Sequence, residues 1–210
     1  MVSELGALGP EKTLLDLGTC FGQDLRVYGH HGAPCQSLFG SDLHQEFVDR
    51  GFFKPFQDRE RLGSNIVARD IFAETDPLGQ FKGKINYITA TAFIHIFSRK
   101  DQVKAREKMI QFLKPFDGES KDKQIIFGKQ TATIKPDRRI RNDVPRGQKE
   151  LSLYEENTCQ ELWEEVDERT GTRWKVTTEL RPWHSDGVKG VEKGEIVRLL
   201  VFSLERLGQG

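Results

Sequence analysis

The 210-residue chain has no run of about 18 consecutive apolar residues, so no helical membrane span is expected. It also lacks an excess of either charge: 32 basic residues balance 32 acidic ones, and the net charge is zero. Proteins that neutralise many phosphates carry a basic excess, so nucleic acid is not the expected partner. Cysteine is scarce. Cys20, Cys35 and Cys159 are scattered and odd in number, which argues against a disulfide framework and fits reduced thiols in a cytoplasmic protein. Residues 1–13 hold no apolar signal core, in line with that location. His30-His31 with Cys35 find no fourth ligand at a suitable spacing, so no metal is expected. No Ser-His-Asp arrangement can be argued from order or spacing.

What is there is an alternation of short apolar runs with helix-length segments, the pattern of an α/β protein. Strands are expected near 13–17, 37–41, 65–68, 84–90 and 124–129, with helices over 22–29, 44–51 and 99–113. Ser98 with Asp101 reads as the N-cap of the last helix, and Lys114-Pro115 ends it. A further helix spans 157–168, where Thr158 and Glu161 match a capping box. Two β-like runs, 173–180 and 195–204, close the chain as an antiparallel hairpin. The expected architecture is one doubly wound, mostly parallel, Rossmann-like seven-stranded sheet over residues 1–210. The basic stretch Lys121–Lys149 has little apolar period and reads as a long solvated loop, or else as a substrate loop or an RNA contact.

Function is most legible at the first strand. Leu14-Leu15-Asp16-Leu17-Gly18-Thr19-Cys20-Phe21-Gly22 reads as a buried strand running into a glycine turn and a helix. Gly18 and Gly22 let backbone approach a ligand closely, and Thr19 lies between them. An acid ahead of the glycines, as Asp16 is here, suits a cofactor with a cationic amino-acid part and no pyrophosphate. Asp42 lies 24 residues past Gly18, near the interval expected of a carboxylate that holds ribose hydroxyls, with Leu43 next to it. Asp42 equally fits an Asx turn or a helix N-cap, roles compatible with ribose binding. A third strand ends in Asp70-Ile71, an acid for an adenine amino group and an apolar face for the ring, or else an ordinary loop acid. Three strand ends presenting an aspartate in succession favour the cofactor reading, and Thr91 at the fourth strand end completes the candidate set.

Beyond the fourth strand lies Phe93-Ile94-His95-Ile96-Phe97. His95 fits a general base that takes a proton from a hydroxyl as it is alkylated; its apolar neighbours fit a packed wall histidine equally. Phe93, Phe97 and Trp183 are the candidate substrate contacts.

These residues resemble motif I of the class I S-adenosylmethionine-dependent methyltransferases, and more narrowly the fungal type of polyketide and meroterpenoid biosynthetic clusters. The resemblance rests on Asp16-Leu17-Gly18-Thr19-Cys20-Phe21-Gly22-Gln23-Asp24, Leu38-Phe39-Gly40-Ser41-Asp42-Leu43, Phe112-Leu113-Lys114-Pro115 and Phe127-Gly128-Lys129-Gln130. A later match is Leu162-Trp163-Glu164-Glu165-Val166 followed by Thr170-Gly171-Thr172-Arg173-Trp174. It implies S-adenosylmethionine as cofactor, with contacts at Asp16, Gly18, Asp42, Asp70 and Ile71. It also implies methyl transfer to a hydroxyl or carboxyl oxygen of a small hydrophobic metabolite. A cyclase or isomerase on the same scaffold is the alternative. Such enzymes carry several dozen residues of lid helices ahead of motif I, whereas 13 residues precede Leu14 here. The chain is therefore expected to lack that lid and leave Phe93 and Phe97 less covered. A homodimer closing the groove follows as an expectation, with 129–149 as the reaching segment.

Overall fold

The computed structural model describes residues 11–53, 65–73, 78–116, 123–133, 137–141, 149–153, 156–182 and 197–209. They fall in two compact units, Met1–Ala90 with Lys108–Ile126, and Thr91–Glu107 with Phe127–Gly210. The first unit holds β1 (Leu14–Leu17), α1 (Gln23–His30), β2 (Leu38–Asp42), α2 (Gln45–Phe53), β3 (Ile66–Ala68) and β4 (Tyr87–Thr89). Next come α3 (Arg99–Phe112) and β5 (Ile125–Thr133), which contribute residues to both units. The second unit continues with β6 (Asp137–Arg141), β7 (Lys149–Leu153), α4 (Glu156–Thr170), β8 (Thr172–Pro182) and β9 (Val197–Gln209).

The main sheet has seven strands in the order β3-β2-β1-β4-β5-β9-β8. β1 pairs in parallel with β2 and β4, and β2 with β3. All four residues of β1 are buried, as a central parallel strand covered on both faces requires. From β1 the chain builds outward to β2 and β3, then returns to place β4 on the other side. That reversal puts the crevice of a doubly wound sheet at the carboxyl ends of β1 and β4. The two last strands pair antiparallel along their length, with one irregularity at Arg173/Trp174. The expected strand count, parallel first half and C-terminal hairpin are all present.

Local signals explain most of the boundaries. The Ser98 hydroxyl accepts from the Asp101 N–H at 3.3 Å and donates to its carboxylate at 2.9 Å, so α3 opens on the expected cap. In the second unit α4 buries Cys159, Leu162, Trp163 and Val166, one apolar stripe at helical spacing. Trp163 meets Trp174 of β8 with ring centroids 5.7 Å apart, and the Arg106 guanidinium lies 5.4 Å over the Trp163 ring.

Two expectations are corrected. α4 begins at Glu156, so Thr158 lies within its first turn and is not the N-cap of a capping box. The Glu156 carboxylate instead accepts the Leu180 N–H at 3.1 Å. The basic stretch is not one long loop either: β6 pairs antiparallel with β7, from Asp137 opposite Leu153 to Arg141 opposite Lys149. Backbone pairing builds that ribbon, and its charged side chains hid it from a search for apolar alternation. Among the described residues no helix is long and apolar enough to cross a membrane.

Candidate functional site

The turn that leaves β1 alternates its backbone hand. Gly18, Cys20 and Gly22 have φ of 72°, 51° and 72°. Glycine adopts such angles at no steric cost, whereas a side chain at Cys20 costs about 1–2 kcal/mol. Hydrogen bonds hold the strained form. The Cys20 N–H donates to Asp42 Oδ2 at 2.9 Å. The Gly18 and Thr19 N–H groups both donate to the Ser41 carbonyl, at 2.8 and 3.0 Å. The other oxygen of Asp42 accepts the His44 N–H at 2.9 Å, an Asx turn that leads into α2. One carboxylate therefore fixes two turns, and each of its oxygens keeps a second acceptor direction. The neighbouring Leu43 is 61% exposed and Phe21 is 37% exposed, an apolar rim beside that carboxylate.

Below the turn a polar row crosses three strands. Gly40 of β2, Asp16 of β1 and Thr89 of β4 are register partners. A Cβ at Gly40 would lie 2.9 Å from Leu25 Cδ1 and 3.1 Å from Thr19 Oγ1, so only glycine lets α1 and the turn sit this close. Asp16 is buried, and among the described residues no cation pairs with it. Burial pushes its carboxyl up to about 8; the Thr19 hydroxyl opposes the rise, and the charges of Asp24 and Asp42 add to it. Thr19 lies close enough to act on Asp16, yet its Oγ1 meets no partner in hydrogen-bonding geometry among the described residues. Thr89 Oγ1 is buried and unpartnered in the same sense. Tyr28 of α1 completes the cluster, its phenol pushed up to about 12 by burial and by Asp16 and Asp24, with Thr89 opposing.

The third strand end is looser. Asp70 is exposed and its Oδ1 accepts the Phe72 N–H at 2.9 Å, while Ile71 is buried. The first unit thus brings Asp16, Gly18, Thr19, Gly22, Asp42 and Leu43 to the ends of β1 and β2, with Asp70 and Ile71 following β3, itself the partner of β2. Sequence reasoning missed Thr89, Tyr28 and Gly40. Their meaning lies in register across strands, which no local pattern carries.

The remaining candidates belong to the second unit. Thr91 is half-buried, and the next residue, Ala92, has φ 53° with its N–H on the Lys129 carbonyl at 2.7 Å. His95 sits half-buried in a single 3₁₀ turn, Ile94–Ile96. Phe93 and Phe97 meet edge to face with centroids 5.1 Å apart. Phe97 is buried and Phe93 half-buried, so the pair is more covered than expected of an exposed apolar patch. Trp183 lies outside the described residues.

No family model matches the chain. Curated relatives do. It is 37% identical over 175 residues to O-methyltransferase phiE of Fungal sp. (strain ATCC 74256), covering 80% of this chain and 53% of that protein. It is 34% identical over 197 residues to O-methyltransferase atr3 of Stereocaulon alpinum, covering 93% of this chain and 54% of that one. The chain spans about half the length of these relatives. Among solved structures, a Burkholderia thailandensis 1,6-didemethyltoxoflavin-N1-methyltransferase superposes with a TM-score of 0.62 at 14% identity. That match covers 98% of this chain and 76% of the other, and shows the shared fold. Similarity in sequence to fungal O-methyltransferases and a fold shared with a solved methyltransferase thus agree with the strand-end aspartates.

Proposed function

We propose that this chain carries the cofactor-binding core of an O-methyltransferase acting on a small hydrophobic metabolite. The observation that carries the reading is the cluster at the sheet's switch point: buried Asp16, which among the described residues has no cation, flanked by the hydroxyls of Thr19 and Thr89, which among those residues meet no hydrogen-bond partner. Buried polar atoms without partners are rare, and here they surround an acid that suits a ligand ammonium. The donor set therefore fits S-adenosylmethionine. When bound, that cofactor supplies an electrophilic methyl group on a sulfonium. Asp42 holds the ribose hydroxyls with its free acceptor directions, Leu43 and Ile71 supply apolar contact to the base, and Asp70 accepts from its amino group. The left-handed turn Gly18–Gly22 keeps side chains out of the ligand's path.

On the acceptor side, Phe93, Phe97 and Trp183 are the apolar contacts of this reading, and the His95 imidazole takes the proton that a hydroxyl acceptor sheds. Positioning the acceptor oxygen in line with the methyl group supplies most of the rate effect. Pairing of two copies is part of the same reading, with light scattering as its check.

Calorimetric titration with S-adenosylhomocysteine, followed by transfer of labelled methyl to hydroxylated aromatic acceptors, tests the proposal. Binding with transfer to oxygen is the expected result. Label found on carbon or nitrogen overturns the acceptor assignment. No binding at all overturns the whole reading.

A further inference from the structure

The β1–α1 turn is held by two side chains, one acidic and one basic. At Cys20 the Asp42 carboxyl accepts the backbone N–H at 2.9 Å. At Phe21 the basic side chain takes over. Arg26 reaches back from α1, and its Nη1 donates to the Phe21 carbonyl. The other arm of the same guanidinium, Nη2, lies 3.5 Å from the Gly51 carbonyl near the end of α2. Two glycines make room for this clamp. A Cβ at Gly51 would lie 2.7 Å from the Phe21 carbonyl oxygen, so α2 rests directly on the backbone of the turn. A Cβ at Gly22 would lie 2.8 Å from Arg26 Nη1, so Gly22 keeps the place of the guanidinium open.

The clamp acts where the backbone is least comfortable. Cys20 has φ 51° and Gly22 φ 72°, on either side of Phe21. A residue with a side chain stays left-handed only where its surroundings over-determine it. α2 takes part at both ends: it begins after the Asx turn of Asp42 with His44, and near its end it meets Arg26. A planar guanidinium can span two carbonyls from different elements, which the single point of a lysine ammonium cannot. We propose that Arg26 is a positioning residue for the cofactor. Without touching the ligand, it fixes the Phe21 carbonyl against α2, and so holds the Gly18–Gly22 backbone in the form that receives the ligand. The inference rests on the cofactor reading above.

Calorimetry with S-adenosylhomocysteine tests it on the parent, Arg26→Ala, Arg26→Lys, Gly51→Ala and the Arg26→Ala/Gly51→Ala double variant. Circular dichroism and urea unfolding give the folded fraction of each. Arg26→Ala should bind roughly 10- to 100-fold more weakly, as expected for a lost hydrogen bond from a charged donor. Arg26→Lys should recover part of that loss, because an ammonium still reaches one carbonyl. Gly51→Ala pushes on the same carbonyl and should also weaken binding. The double variant should lose less than the two single losses multiplied, since both act through one peptide group. Val27→Ala, at the 46% exposed neighbour, should bind as the parent does. Parental affinity in folded Arg26→Ala overturns the inference and leaves the cofactor reading intact; the arginine then only supports the fold. Independent losses that multiply in the double variant overturn it too, because Arg26 then acts apart from the Phe21 carbonyl. If Arg26→Ala does not fold, Arg26→Gln takes its place under the same two criteria. Failure of the parent to bind S-adenosylhomocysteine removes the cofactor reading, and this inference with it.

Discussion

Two glycine turns in this protein are each anchored by an aspartate, and their polar groups are treated in opposite ways. In the α4–β8 turn, Asp167 accepts the Trp174 N–H and the Thr172 hydroxyl, both at 3.3 Å. The Thr172 hydroxyl in turn accepts the Trp174 indole N–H at 2.9 Å, and the Thr170 hydroxyl donates to the Val166 carbonyl at 2.7 Å. Gly171, with φ 63°, donates its N–H to the Asp167 carbonyl at 2.9 Å. The polar side chains of this turn close on the turn itself. The β1–α1 turn ties its backbone to β2 equally well, yet among the described residues the Thr19 hydroxyl, like that of Thr89 in β4, meets no hydrogen-bond partner, and no cation pairs with the buried carboxyl of Asp16. In the sequence both turns stand out as comparably specific strings. In space one is a finished corner between a helix and a strand, and the other is shaped for something that has to arrive.

The sharpest test of that contrast is to break the finished corner. Trp163 is 1% exposed and packs on Trp174 and under Arg106. Trp163→Ala should cost about 3–5 kcal/mol of stability, the range for deleting a buried aromatic side chain. Urea unfolding measures it. The affinity of the folded protein for S-adenosylhomocysteine should be unchanged; a parallel loss of affinity would show that the corner also shapes the ligand site.

Asp42 belongs to the unfinished turn and should act on both properties. Asp42→Ala removes the acceptor of the Cys20 and His44 N–H groups and, on the proposed reading, of the ribose hydroxyls. A loss of about 1.5–3 kcal/mol in binding is expected, roughly 10- to 150-fold in affinity, with a stability loss of similar size. Asp42→Asn should fall between parent and alanine variant, since one amide oxygen still accepts while the amide nitrogen faces a backbone donor. An alanine variant with full affinity would remove Asp42 from the ligand site.

Asp16 contributes to stability with an unusual sign. Its folded carboxyl is raised to about 8 from an ordinary 3.8, so between those values the folded chain holds a proton that the unfolded chain has lost. Stability is complete below about pH 3.8, falls by up to about 1.4 kcal/mol per pH unit above it, and levels off near pH 8. Asp16→Asn has nothing to titrate there. The variant should gain on the parent in melting temperature as pH rises from 5 to 8, and the difference should close towards pH 4. Parallel melting curves across that range would place the Asp16 charge in water.

Much of this was legible in the chain because it is local. The apolar run Leu14-Leu15-Asp16-Leu17, the left-handed glycines and the interval to Asp42 survive in one dimension, since a parallel strand with its following turn is a contiguous string. The same holds for the α3 cap, where Ser98 and Asp101 are three residues apart. What was not legible depends on partners far along the chain. Thr89 reads as one more residue of an apolar strand until register sets it beside Asp16. The strain at Cys20 becomes visible only with the carboxylate that holds its N–H, 22 residues on. β6 and β7 carry six charged residues, Asp137, Arg138, Arg139 and Arg141 in one and Lys149 and Glu150 in the other, and pair through backbone that composition does not describe.

The smallest expected effect separates the two turns most cleanly, because it adds the same methyl group to each. Gly171 and Gly22 have similar φ, 63° and 72°. Around Gly171 an added Cβ would meet nothing within 4 Å, so Gly171→Ala bears only the backbone penalty, about 1 kcal/mol. At Gly22 the same atom would lie 2.8 Å from Arg26 Nη1 and 3.0 Å from Ile66 Cδ1. The arginine end can swing aside, but Ile66 is buried in β3 and has less freedom to move. Gly22→Ala should therefore cost more than Gly171→Ala by thermal melting, and it alone should weaken S-adenosylhomocysteine, by shifting the start of α1. Equal melting temperatures with equal ligand affinity for the two variants would mean that the β1–α1 turn has slack to spare, and that its open polar groups, not its tight backbone, define the site.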